Sequence, residues 1–514
     1  MKKEIIADVN HHEARVALLE DGELVEIQVE YRGQERLVGN IYKGKVCNVL
    51  PGMQAAFVDV GLERNAFLYA GDILADKSDF EFQDNKNDNV EGKLKEKNIK
   101  DMVKQGQEIM VQVLKQQGGT KGARVTTHIT LPGRMMVLMP TVDHVGVSRK
   151  IDDEAERERL KDLFTQIKPE GMGVIVRTVA EGGSEEEFRS EMNFLTRLWE
   201  KIRQKADFFS APRLIHSEES LLFRTVRDMF NADVERFIIK DKDYYEKVLA
   251  VVEITMPSLI DKVEYFSKPD NIFDYYGVEN KIEKAMQRKV WLDNGAYLVI
   301  DETEALTVID VNTGKYIGED DFQDTIVTAN IEAAKEIARQ LRLRDIGGIV
   351  VIDFIDMESE ANKQKVVEAL EEALKKDRTK PTVLGITDLG LVEMTRKKQR
   401  RRLSALLQST CPHCGGKGKV YSDQTMAMRV RREVARLVLN TDADKFLVEV
   451  APSVARYIVD KNNHNIAILP QYEGKSFYIS ENKLLHNHDI KVTPLNGGNM
   501  RQVERAWKDA EIFC

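Results

Sequence analysis

Glu304-Ala305-Leu306-Thr307-Val308-Ile309-Asp310-Val311-Asn312-Thr313-Gly314-Lys315 and Gly347-Gly348-Ile349-Val350-Val351-Ile352-Asp353-Phe354-Ile355-Asp356-Met357 are two β-branched apolar runs, each ending in an aspartate. Between them Ile326, Asn330, Ala334, Ile337 and Leu341 recur at three- and four-residue steps, which is helical spacing. Strand, helix and strand in this order predict a crossover unit of neighbouring buried strands, with Asp310 and Asp353 at like ends. Ligands of open α/β sheets collect at those carboxyl ends. Two carboxylates meeting there repel each other unless a cation or a shared proton relieves them. The expected cation is Mg²⁺, because hard oxygen donors that leave most of the coordination to water and phosphate suit that ion.

The chain around this stretch has 514 residues, 42% of them apolar and 31% charged, with a formal charge of −9. That profile predicts a soluble protein of several domains, and any site for a polyanion must be local. Met1-Lys2-Lys3 leads into an alternating strand and no run approaches the length of a membrane span, so neither a secretory leader nor a span is expected. Cys47, Cys411, Cys414 and Cys514 are too few and too scattered for a disulfide framework, which fits a reducing cytoplasm.

Upstream, residues 1–35 read as short antiparallel strands, with a turn at Glu20-Asp21-Gly22-Glu23. Ile41–Val46, Ala55–Gly61, Asn65–Leu68 and Glu108–Lys115 are short strands joined by glycines, the pattern of a small oligonucleotide-binding barrel. Phe57 and Phe67 could stack nucleobases there, with Lys43, Lys115 and Lys121 near phosphates; burial of both rings in the barrel core is the competing reading. The stretch from about Ala75 to Lys104 is nearly all polar and reads as an insertion in a barrel loop. Gly133–Pro140 and Gly173–Thr178 read as strands of an α+β unit, and Ser184-Glu185-Glu186-Glu187 matches a capping box opening a helix. Arg177 and Thr178 at a strand end could bind a phosphate or could simply be surface residues.

Downstream, Arg396 to Arg402 holds six cations in seven residues, a candidate polyanion contact or a solvated face. Cys411-Pro412-His413-Cys414-Gly415-Gly416-Lys417-Gly418 is a knuckle offering two thiolates to zinc. His464, His486 or His488 could complete the tetrahedron, or two chains could each supply a cysteine pair. The glycines argue against a thioredoxin-type redox pair. The remaining residues, with strands expected at Phe446–Val450 and Ile466–Leu469, read as a small α/β unit for interaction or oligomerisation.

Taken together, these motifs closely resemble the ribonuclease E/G family over essentially the whole chain. The resemblance is carried by Ile41-Tyr42-Lys43-Gly44-Lys45-Val46, Ala55–Gly61, Thr303–Asn312, Ala338–Met357 and the Cys411–Gly418 knuckle, in that order. It implies a multidomain α/β and α+β chain. A ribonuclease-H-like domain (1–35 and 222–286) is split by an oligonucleotide-binding barrel of the S-one type (36–127) and a 5′-sensor unit (128–221). A deoxyribonuclease-I-like catalytic domain (287–407), a zinc link (408–420) and a small oligomerisation domain (421–514) follow. The resemblance further implies that Asp310 and Asp353 hold a catalytic Mg²⁺ steadied by Asn312, with Asp356 structural. Phe57, Phe67 and Lys121 would grip RNA. Gly133, Val137, Arg177 and Thr178 would sense a 5′-monophosphate, with Lys380 where some members carry arginine. Lysine keeps the charge but loses the bidentate fork. Cys411 and Cys414 would share Zn²⁺ between protomers of a homodimer or homotetramer. The implied activity is Mg²⁺-dependent cleavage of single-stranded RNA to 5′-phosphate and 3′-hydroxyl ends, in ribosomal and transfer RNA processing and messenger decay, in a bacterial cytoplasm. With no long tail after the small unit, the chain is expected to be of the shorter, ribonuclease G type. The rival readings are a non-catalytic RNA-binding assembly factor and a phosphatase acting on small esters.

Overall fold

The computed structural model describes residues 2–33, 36–73, 98–116, 122–314, 322–387, 389–398, 400–459, 472–495 and 511–513. The architecture is mixed α/β, and the chain divides into two compact units, Met1–Leu406 and Leu407–Cys514.

The first sheet of the larger unit joins the beginning of the chain to residues far downstream. Its strand order is Val263–Tyr265, Val234–Ile239, Lys3–Val9, Glu13–Glu20, Glu23–Tyr31. The tight hairpin at Asp21-Gly22 forms because both residues adopt positive φ, 50° and 83°, as a primed turn requires. Lys3–Val9 runs parallel to Val234–Ile239, with Ile5 opposite Phe237. Ile5, Val16, Leu18, Phe230 and Phe237 pack in one core beneath this sheet.

Between those paired strands lies a closed five-stranded barrel. Ile41–Leu50, Ala55–Asp59, Ala66–Tyr69, Arg124–Thr126 and Glu108–Lys115 follow one another around it, and the last pairs back onto the first. Gly44 lets the wall bend inward: a Cβ there would stand 2.5 Å from Val58 Cγ1 and 3.0 Å from Asp59 O. The polar insertion ends sooner than its composition predicts. Asn98 caps a helical turn, Ile99–Met102, and Ile99 and Val103 are buried in the barrel core. This apolar pair, four residues apart, holds the return of the insertion against the barrel. Residues 74–97 lie outside the described residues.

The α+β unit that follows has the strand order Val145–Val147, Gly173–Val176, Met136–Met139, Leu131–Pro132. The expected capping box is formed: the Ser184 and Glu187 side chains bond reciprocally to backbone N–H groups at the start of helix Glu185–Phe208. The strand predicted from Gly133 begins only at Met136. Gly133–Met135 instead bends around Glu191, whose carboxylate accepts from the Arg134 and Met135 N–H groups.

The fourth sheet has the order Lys289–Trp291, Tyr297–Glu302, Leu306–Asn312, Gly348–Asp353, Leu391–Arg396, Thr382–Ile386. Its two central strands are parallel and joined through helix Phe322–Leu343, as the periodicity predicts. The expectation that these strands are buried holds for one face only. Ile309, Val311, Val350 and Ile352 pack on the helices, whereas Val308 and Ile349 are 36% and 51% exposed on the other face. Both faces would be covered if helices lay on each side; here the other strand pairs are antiparallel and one face stays open.

The smaller unit has a sheet of order Ile490–Leu495, Lys445–Val450, Ser476–Glu481, Glu511–Phe513. Helices Asp423–Asn440 and Pro452–Val459 cover it, with Val430, Val434 and Val454 in one core with Phe446 of the sheet. The strand expected at 466–469, like His464, lies outside the described residues.

Candidate active site and RNA-binding surfaces

Asp310 and Asp353 stand directly opposite each other at the ends of the two parallel strands. Alternation puts Val308, Asp310 and Asn312 on the open face with Ile349, Val351 and Asp353. Asn312 Nδ2 donates to Asp310 Oδ2 at 2.7 Å, which fixes one carboxylate and leaves its other oxygen for a ligand. Burial, and then the charges of Asp310 and Asp356, push the Asp353 carboxyl above its ordinary range. Asp356, read from sequence as structural, therefore belongs to the same electrostatic field. A second contributor was hidden in the apolar stripe of the connecting helix. Asn330, fully buried, donates from Nδ2 to Ile355 O at 2.8 Å and accepts from Ile355 N–H at 3.1 Å, clamping the segment after Asp353. A lone amide on a core-facing stripe was the available signal, since buried polar groups find partners. The pair offers hard oxygens and neighbouring negative charge, the donor chemistry that suits Mg²⁺.

On the barrel, Phe57 and Phe67 are cross-strand partners, their rings 5.2 Å apart and edge to face. Tyr69 extends the row, 4.6 Å from Phe67, and the Arg124 guanidinium lies 4.9 Å over the Tyr69 ring. Both phenylalanines are half-buried and lie outside the core formed by Tyr42, Val46, Val58 and Leu68, so the core reading fails. Tyr69 and Arg124 were missed from sequence, although the Phe67-Leu68-Tyr69 alternation carried the hint. Lys43 is committed to Glu108, with Nζ 3.1 Å from Oε2, while Lys121 lies outside the described residues.

Of the residues that the resemblance matches to a 5′-sensor, Gly133 and Arg177 meet directly. Arg177 Nη1 donates to Gly133 O at 2.7 Å and pairs with Asp228 Oδ1 at 2.8 Å. Thr178 Oγ1 lies 3.1 Å from Ser148 Oγ, and Val137 sits opposite Ile175 on the adjoining strand. Lys380 is exposed in the turn after Arg378, whose carbonyl accepts from Lys150 Nζ at 3.4 Å. Asp228, which occupies the Arg177 guanidinium, was not anticipated.

Three of the six cations in the basic run are spent on ion pairs. Arg396 is buried and paired with Asp377 at 2.7 Å and Asp345 at 2.9 Å, Arg400 pairs with Glu26, and Arg402 with Glu302. The run also starts opposite Gly348, at the far end of the strand from Asp353.

In the smaller unit the knuckle is formed. Gly415, Gly416 and Gly418 have positive φ, and Gly415 N–H donates to Cys411 O at 2.9 Å. Donation from the Gly418 N–H, then the Gly416 N–H, holds the Cys414 thiol below its ordinary range. His413 Nδ1 lies 3.2 Å from His486 Nδ1, and the His486 and His488 rings stack 5.9 Å apart. Among the described residues no group of three or more potential metal ligands closes around one point.

A family model described as the ribonuclease E/G family matches residues 130–399. The chain belongs to the ribonuclease E/G family. A second model, described as the thioredoxin-like domain of RNase E/G, matches residues 410–495. Ribonuclease G of Salmonella typhimurium is 42% identical over 96% of this chain and 99% of its own length. Ribonuclease G of Haemophilus influenzae is 44% identical over 95% and 99%. Ribonuclease E of Escherichia coli is 34% identical over 96% of this chain but only 46% of its own length. Within the described residues, no helix is long and apolar enough to cross a membrane.

Proposed function

We propose that this ribonuclease E/G family member is an endoribonuclease that hydrolyses single-stranded RNA, using Mg²⁺ held by Asp310 and Asp353. The observation that carries this reading is the pair of opposed carboxylates on an open sheet face, one fixed by Asn312 and the other pushed up by its neighbours. When bound, Mg²⁺ supplies a Lewis acid for the scissile phosphate and lowers the pKa of an attacking water. Asn312 keeps Asp310 in a single orientation, and Asn330 keeps the Asp353 strand end in place. The Phe57–Phe67–Tyr69 row stacks unpaired bases, which favours single strands over duplex. In-line attack by water leaves a 5′-phosphate and a 3′-hydroxyl. Arg177 and Thr178 receive a 5′-monophosphate after Asp228 yields its place on the guanidinium. The thiolates of Cys411 and Cys414 supply half of a tetrahedral zinc site, and a second protomer completes it, giving a homodimer of a cytoplasmic enzyme.

A 5′-labelled single-stranded RNA incubated with Mg²⁺, with an EDTA control, tests the reading. Internal cuts that require Mg²⁺ and vanish in Asp310→Asn support it; binding without cutting assigns the chain to RNA assembly instead. Running 5′-monophosphate and 5′-triphosphate substrates side by side measures the sensor, and Arg177→Ala should erase any difference between them.

A further inference from the structure

The open face of the catalytic sheet carries a second aromatic cluster, on the edge beyond the carboxylate pair. Strand Lys289–Trp291 pairs with Tyr297–Glu302, setting Trp291 opposite Tyr297 and Lys289 opposite Val299. Tyr297 in turn lies opposite Asn312, and Val299 opposite Asp310. Lys289, Val299, Asp310 and Asp353 thus form one cross-strand row, and Trp291, Tyr297 and Asn312 the next. At about 4.8 Å per strand, Trp291 stands about 10 Å from Asn312.

The cluster is assembled in advance. The Trp291 and Tyr297 rings are 5.1 Å apart at 58°, and Lys289 Nζ sits 3.4 Å from the Tyr297 centroid and 4.0 Å from that of Trp291. Tyr297 is wedged from behind: a Cβ on Gly314, at φ +61°, would stand 3.1 Å from Tyr297 Cδ1 and 2.4 Å from Gly295 O. Yet Trp291 remains 55% exposed. A large ring left in water beside a cation, one row along from a carboxylate pair, is costly for packing alone and suited to stacking on a flat, anionic ligand.

The geometry points to a nucleobase-stacking subsite formed by Trp291 and Tyr297, with Lys289 directed at the phosphate backbone, for the nucleotides flanking the scissile phosphate. It rests on the endonuclease reading, and it accepts any base, because every base offers a π-face. This platform is separate from the barrel row, so RNA would be gripped by aromatic rings on two different sheets.

Trp291 supplies its own probe. The chain has three tryptophans; Trp199 is buried at 8% exposure, and Trp507 lies outside the described residues. Single-stranded oligoadenylate, titrated in EDTA so that nothing is cut, should quench the emission of the full chain. An abasic oligonucleotide of equal length should not, and in Trp291→Phe the base-dependent quench should vanish. Trp291→Ala should raise KM for RNA about tenfold with kcat changed far less, and Trp291→Tyr should restore it. An unchanged melting temperature in the variants checks that the exposed ring is not structural. Quenching that survives in Trp291→Phe, or an unchanged KM in Trp291→Ala, overturns the subsite. A wild-type chain that shows the base-dependent quench but never cuts RNA overturns the endonuclease reading and leaves the stacking site supported.

Discussion

Replacing Asp353 with asparagine should make the metal-free protein more stable while ending cleavage. Asp310 and Asp353 are opposed on adjacent parallel strands, about 5 Å apart. Two like charges at that distance cost about 0.8 kcal/mol in water and about 3 kcal/mol at an effective dielectric constant of 20. Both carboxylates are exposed, so a value near the aqueous limit applies, about 1 kcal/mol, or about 1–2 °C in a unit of this size. The pH dependence follows from the direction of the shift. Burial, Asp310 and Asp356 raise the Asp353 carboxyl in the fold, so its penalty is absent below the unfolded value, grows between the two values and is complete above the folded one. The asparagine should therefore raise the melting temperature near pH 7 and have no such effect near pH 3. Added Mg²⁺ should stabilise the wild type and leave Asp353→Asn unmoved. Thermal melts at both pH values, with EDTA or Mg²⁺, measure all of this. A variant that melts lower at pH 7 in EDTA, or that keeps the full Mg²⁺ shift, would refute the reasoning.

Three further outcomes are expected. Cys411→Ser with Cys414→Ser should remove bound zinc, measured by elemental analysis, and convert a dimer to a monomer on sizing. Phe67→Ala should weaken single-stranded RNA binding about tenfold, by loss of stacking worth about 1–3 kcal/mol per base, in a fluorescence-polarisation titration. Arg396→Leu leaves Asp377, whose side chain is 3% exposed, buried without its cation; urea unfolding should show a loss of about 3–5 kcal/mol.

The two strands that carry Asp310 and Asp353 were legible because two strong periodicities, β-branched runs and a helical stripe, abut in the same stretch. The capping box at Ser184 was legible for the same reason: it is local. What sequence could not supply was the meaning of a residue whose partner is distant. Arg396 reads as one cation in a basic run, and only the fold brings Asp345 and Asp377 around it. Asn330 reads as one step of an apolar stripe until the strand end packs against it. Lys43 looked free until Glu108 came alongside. One-sided burial of the central strands was hidden too, because Val308 and Ile349 are as apolar as their buried neighbours.

The parallel pairing of Lys3–Val9 with Val234–Ile239 has a consequence for synthesis. At roughly 5–20 residues per second, a ribosome takes roughly ten to forty-five seconds to deliver the second strand after the first. Through that interval the first strand carries an open edge, a template for wrong pairing. The barrel and the α+β unit, wholly encoded in between, have their own cores and can mature while the edge waits. The strands that leave the ribosome first are thus locked in place only after the barrel and the α+β unit have been made.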